Sequence, residues 1–139
     1  MLNLIAASVC WFTLGAMIVF GAVVAPTVFK VLSPDSAGAF LRTLFPRLYL
    51  FCGITTLGAG VLLAVALRFW DAASIGIISS LFFISRGPLT RRINAVRDQE
   101  LANVEGAKEH FEKLHKLSVR IFGLQALVLL FYGVFLQTL

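Results

Sequence analysis

The chain has 139 residues, of which 59% are hydrophobic and only 14% charged, with a mean hydropathy of +0.91; one water-soluble domain of this length does not enclose that much apolar surface. A formal charge of +5 and a pI near 9.8 would suit a nucleic-acid partner. Cations unevenly shared among the loops of a membrane protein are ordinary topology information, however, and nucleic acid is not expected.

From Met1 to Phe29 there is no charged side chain, and about 20 apolar residues cross the ~30 Å hydrocarbon layer. A first span is expected over residues 4–28. It is expected to be retained, because Met1-Leu2-Asn3 lacks the basic start of a cleaved leader and the apolar stretch is too long for one. Cys10 in this run, like Cys52 later, has no Cys or His at ligand spacing, so neither a disulfide framework nor a zinc site is indicated.

Ser33-Pro34-Asp35 is a helix-start signal, followed by Phe40, Leu41, Leu44 and Phe45. The pattern predicts a short amphipathic helix lying on the inner leaflet, with Arg42 and Arg47 meeting anionic headgroups. A second span follows over residues 48–67, where Gly53, Gly58 and Gly60 allow close helix approach.

The third span, residues 69–86, is the short one, with only 14 residues from Ala72 to Ser85 between charges. Charge counting decides for it. If it crosses, eleven of the twelve Lys and Arg residues share one side and only Arg68 stands opposite. If it does not, the division is three against nine, with most of the charge on one long loop. The positive-inside rule prefers the first arrangement, with both termini and the Arg68 turn outside the cytoplasm.

Gly87-Pro88 should interrupt the third helix, and a further helix should run from Thr90 into the Asp98–Glu105 region, ended by Gly106. From Ala107 a helix is predicted to run unbroken to Leu139, about 50 Å at 1.5 Å per residue, supported by the pairs Glu109 with Lys113 and Glu112 with Lys116. Its membrane part, residues 117–137, is the fourth span, with Tyr132 suited to the interface. Phe111, His115, Ser118, Phe122, Gln125 and Leu129 fall on one stripe of it, expected to face the bundle. The fold class is therefore all-α: a single four-span membrane domain, residues 1–139, with a cytoplasmic helical extension between the third and fourth helices.

No catalytic motif is found, and no metal site. Neither histidine nor methionine is placed for haem, so no cofactor is expected. His115, at the membrane boundary, suits a proton-carrying or ligand-binding role, or more plainly a hydrogen bond between helix ends; His110 falls on a solvated face. The polar groups inside the spans are Thr13, Thr55, Thr56, Ser74, Ser79, Ser80 and Gln125, residues that tie helices together. A candidate site remains at the cytoplasmic rim, made of Arg47, Arg91, Asn94, Arg97, Asp98, His115 and Ser118 and framed by Pro26 and Pro46.

The stretches VVAPTVFKVLSPDSAGAFLRTLFPRLYLF, RRINAVRD and FEKLHKLSVRIFGLQ resemble the bacterial family known as domain of unknown function 4149, relatives of transmembrane protein 205, over almost the whole chain. The likeness rests on Ala25-Pro26 with Phe29, on Leu44-Phe45-Pro46, and on His115 with Ser118. It implies a four-helix membrane domain and supplies no reaction. Where the family has Asn seven positions after the histidine, this chain has Phe122, which makes no side-chain hydrogen bond.

The leading functional expectation is a non-enzymatic accessory or interaction subunit of the bacterial inner membrane. Its partners would be anionic headgroups at the cytoplasmic face and either another protein or further copies of itself. The alternatives are a small transporter or exporter of a metal complex or amphiphilic molecule, and a membrane enzyme acting on a lipid or quinone with His115 as acid or base.

Overall fold

Long charge-free runs bounded by Pro, Gly and charged residues become four helices in the computed structural model, which describes residues 1–139 and contains no strand. They are α1 (Leu2–Val31), α2 (Pro34–Val65), α3 (Phe69–Leu101) and α4 (Ala107–Phe135), each long and apolar enough to cross a membrane. In sequential order they form a ring. α1 packs on α2, α2 on α3 and α4 on α1, while the start of α4 lies against the last three turns of α3. This is a multi-pass membrane protein: its outward faces carry Phe12, Ile18, Ile54, Leu57, Ile77, Leu127 and Phe131, side chains that lipid covers and water would not.

Helix starts and stops follow local chemistry. Ser33 caps α2 through its Oγ, which accepts from the Ser36 N–H at 3.4 Å, with Pro34 at the first helical position and Asp35 in the first turn. α2 ends on a pair of reversed bonds, Leu67 N–H to the Ala64 carbonyl at 3.0 Å and Arg68 N–H to the Leu63 carbonyl at 2.9 Å. This closure places Leu67 at φ 59°, a conformation that glycine adopts without strain and leucine does not. α3 ends in the same way, with Asn103 at φ 57°.

The prolines behave differently from the sequence reading. Pro34 to Val65 is one helix, with Pro46 inside it, so the segment expected to lie separately on the leaflet continues into the second span. Gly87-Pro88 does not stop α3 either. Residues Ser85–Leu89 widen into a π turn, and the Thr90 hydroxyl donates to the Ser85 carbonyl at 2.6 Å. In an α-helix the Pro88 ring would collide with the carbonyl four residues earlier; one extra residue in the turn removes the collision. A second π turn, Phe20–Val24, precedes Pro26 in α1. The third helix is thereby 33 residues long, and its short uncharged stretch, residues 72–85, belongs to its first half.

The core runs through Cys10, Met17, Tyr49, Cys52, Leu63, Ile75, Phe82, Leu129 and Leu136. Tyr132, expected at an interface, is buried with them. One side-chain hydrogen bond spans each of three seams: Thr13 to Thr55 at 2.8 Å between α1 and α2, the Ser79 hydroxyl to the Gly53 carbonyl at 2.9 Å between α3 and α2, and the Trp11 indole N–H to the Gly133 carbonyl at 3.0 Å between α1 and α4. Such bonds contribute about 1 kcal/mol each inside a membrane. Between α3 and α4 there is none; these two helices meet through Arg97 and Phe111 near one end and Arg68 and Phe135 at the other.

Candidate functional site at the charged end

Because neighbouring helices run antiparallel, the α1–α2 connection and the α3–α4 connection emerge at the same end of the bundle. Eleven of the twelve Lys and Arg residues belong to that end. At the other end Arg68 is held by Asp71, with Nη2 2.6 Å from a carboxylate oxygen, and its guanidinium stands 5.5 Å from the centre of the Phe135 ring.

The last turns of α3 and the first of α4 place several charged groups side by side. Arg97 pairs with Glu100 one turn along at 2.5 Å and stacks over Phe111 of α4 at 5.2 Å. Phe111 in turn lies nearly parallel to His115, with ring centres 5.8 Å apart and planes 12° apart. Arg97 and His115 are therefore joined through Phe111, which sequence reading placed only on the stripe. Asp98 points the other way and binds Arg42 of α2 at 2.7 Å, tying the last turns of α3 to the first turns of α2, far from the turn that joins the two helices. The Ser118 hydroxyl donates to the His115 carbonyl at 2.8 Å within its own helix. Arg91 donates to the Gly87 carbonyl at 3.4 Å. Neither Arg91 nor Arg47 has a carboxylate within ion-pair distance, and half-buried Asn94 has no side-chain hydrogen bond. The named rim residues thus form no single convergent cluster.

On the exposed start of α4, Glu109 and Lys113 pair at 2.8 Å. The hydrogen bond from Lys113 holds the Glu109 carboxyl below its ordinary range, and the same contact pulls the Lys113 ammonium upward. No group of three or more His, Cys, Asp or Glu side chains is placed to hold a metal ion.

Just inside the charged end, rings from three helices touch in series. Phe20 of α1 meets Phe45 of α2 edge-on at 4.9 Å, Phe45 stacks on Tyr49 at 5.8 Å, and Tyr49 meets Phe122 of α4 edge-on at 6.3 Å. Phe122 therefore fills with an aromatic ring the position where the resemblance implied an amide. Phe29, Pro26 and Arg47 lie exposed on the outside, while Phe45 and Pro46 are half-buried. Along the α4 stripe exposure falls from His115, exposed, through half-buried Ser118 and Phe122 to Gln125 and Leu129, which are buried.

A family model described as domain of unknown function (DUF4149) matches residues 9–102, more than half of the chain. The chain belongs to the DUF4149 family. The match takes in most of α1 and all of α2 and α3, and it stops before α4, so His115, Ser118, Phe122 and Gln125 of this DUF4149 protein lie beyond it. No curated protein and no solved structure matches the chain.

Proposed function

We propose that this DUF4149 protein is an interaction subunit of a bacterial inner membrane, whose basic end faces the cytoplasm and engages anionic lipid headgroups and a partner protein. The observation that carries the reading is the imbalance of ion pairing. At the charged end only Arg42, Arg97 and Lys113 take carboxylate partners; Lys30, Arg47, Arg86, Arg91, Arg92, Lys108, Lys116 and Arg120 do not. Cations left without internal partners at a membrane boundary attract an anionic leaflet at roughly 1 kcal/mol each, and the same asymmetry sets orientation. The Thr90–Lys116 hairpin offers a charged surface for a partner.

The test has two arms. In intact cells, a thiol introduced by Glu105→Cys should resist a membrane-impermeant reagent while one introduced by Thr138→Cys reacts; the native cysteines are buried. In native mass spectrometry from nanodiscs of mixed lipid, phosphatidylglycerol adducts should outlast phosphatidylcholine adducts, and alanine at Arg91 and Arg92 together should weaken them. Reaction at position 105 alone, or equal retention of both lipids, overturns the proposal. A transporter reading draws on one observation, the unpartnered amide of Gln125 inside the bundle.

A further inference from the structure

Gln125 is fully enclosed on the inner face of α4, and neither its side-chain oxygen nor its nitrogen has a hydrogen-bond partner. An amide carries two donors and an acceptor, and leaving them unmade in an apolar interior is strongly unfavourable. Packing does not call for it, since Leu129 and Leu136 fill the same face without polar atoms. Three hydroxyls of the apolar zone are already engaged: Thr56 with the Cys52 carbonyl, Ser79 with the Gly53 carbonyl, and Thr13 with Thr55.

Two neighbouring features bear on this residue. Phe122 stands one turn nearer the charged end and separates Gln125 from Ser118 along the α4 face; half-buried, it packs on the edge of the core and its ring meets Tyr49 of α2 edge-on. Moving that ring breaks no backbone hydrogen bond. The seam between α3 and α4 also lacks the side-chain hydrogen bond that each of the other three possesses.

We propose that Gln125 is an internal hydration site of the bundle, and that Phe122 is its removable plug. The packing described above is then the closed state. When the Phe122 ring turns aside, water enters from the charged end and satisfies the amide, wetting a passage that the ring otherwise keeps dry. The proposal does not depend on the orientation of the protein or on headgroup binding.

The experiment uses the full chain in nanodiscs, where both faces are open, with Cys10 and Cys52 replaced by Ala. A thiol introduced by Q125C is expected to react slowly with a charged, membrane-impermeant methanethiosulfonate. Phe122→Ala should raise that rate at least about tenfold, an opening easier by about 1.4 kcal/mol, and Phe122→Trp should lower it. The thiol of L129C, one turn deeper on the same face, should stay inert in every background. Leu63→Ala, which removes a different buried side chain, should leave the Q125C rate unchanged. Should Phe122→Ala prove unstable, Phe122→Leu keeps the apolar fill, removes the ring and carries the same expectation. Equal Q125C rates with and without the ring, or an equal rise from Leu63→Ala, overturn the proposal.

Discussion

The indole of Trp11 and the backbone of Gly133 hold α1 and α4 together: the ring nitrogen donates to the Gly133 carbonyl across 3.0 Å, and the ring itself lies 2.9 Å from where a Cβ on Gly133 would stand. Trp11→Phe keeps most of the ring and loses the bond, with an expected loss of about 0.6–1.7 kcal/mol. Gly133→Ala forces the indole away and should cost more than that. Thermal unfolding in one detergent, wild type beside both variants, checks the order.

Relief of strain is expected at Leu67. Its side chain is 75% exposed and its backbone sits at φ 59°, so Leu67→Gly gives up little contact and removes a left-handed penalty of about 1 kcal/mol. The variant should melt higher than wild type. A lower melting point would mean that the leucine side chain outweighs its backbone.

Replacing Gln125 by Leu should stabilise the bundle by about 1–3 kcal/mol, because a buried group without partners is exchanged for one that needs none. Gln125→Ala, which also opens space, should give back part of that gain. Equilibrium unfolding in mixed micelles compares the two.

Acidity should loosen the first turns of α4. The Glu109 carboxyl is held below its ordinary range, so its stabilising contribution is complete above the usual carboxylate pKa and is lost as pH falls through the lowered value. Lys113 is raised, so its share is present below the usual amine pKa and is lost as pH climbs through the raised value. Both groups are exposed, and salt should weaken the effect. Backbone chemical shifts of residues 107–113, followed against pH with and without added salt, should show greatest helicity between those limits.

The four long helices were legible because a bilayer imposes a length and forbids charge, and the runs before Phe29 and after Arg120 carry that pattern unambiguously. Ser33 marked a helix start by chemistry that acts within a few residues; Gly106, read as the end of the preceding helix, stands just before the start of α4, and α3 has already ended at Leu101. What escaped was decided by compensation. Proline at positions 46 and 88 argues for breaks on local grounds, yet α2 runs straight through Pro46, and a π turn accommodates Pro88. At the charged end, the spacing of Arg97 and Glu100 makes their pairing readable, whereas Arg42 with Asp98 depends on how α2 and α3 pack. Gln125 could be recognised as a polar residue within a span. That it lacks a partner is a property of the assembled bundle alone.

The π turn at Ser85–Leu89 makes α3 unequal along its length in its tolerance of missing residues. A π turn is an α turn with one residue to spare, so deleting Pro88 should let the backbone rewind with everything downstream still in phase, Arg97 over Phe111 and Asp98 against Arg42. Removing Ala95 offers no such slack and would rotate the remaining residues by about 100°, scattering both contacts. The alignment of the charged end is thus buffered against shortening at one place in the helix and unprotected a few residues later.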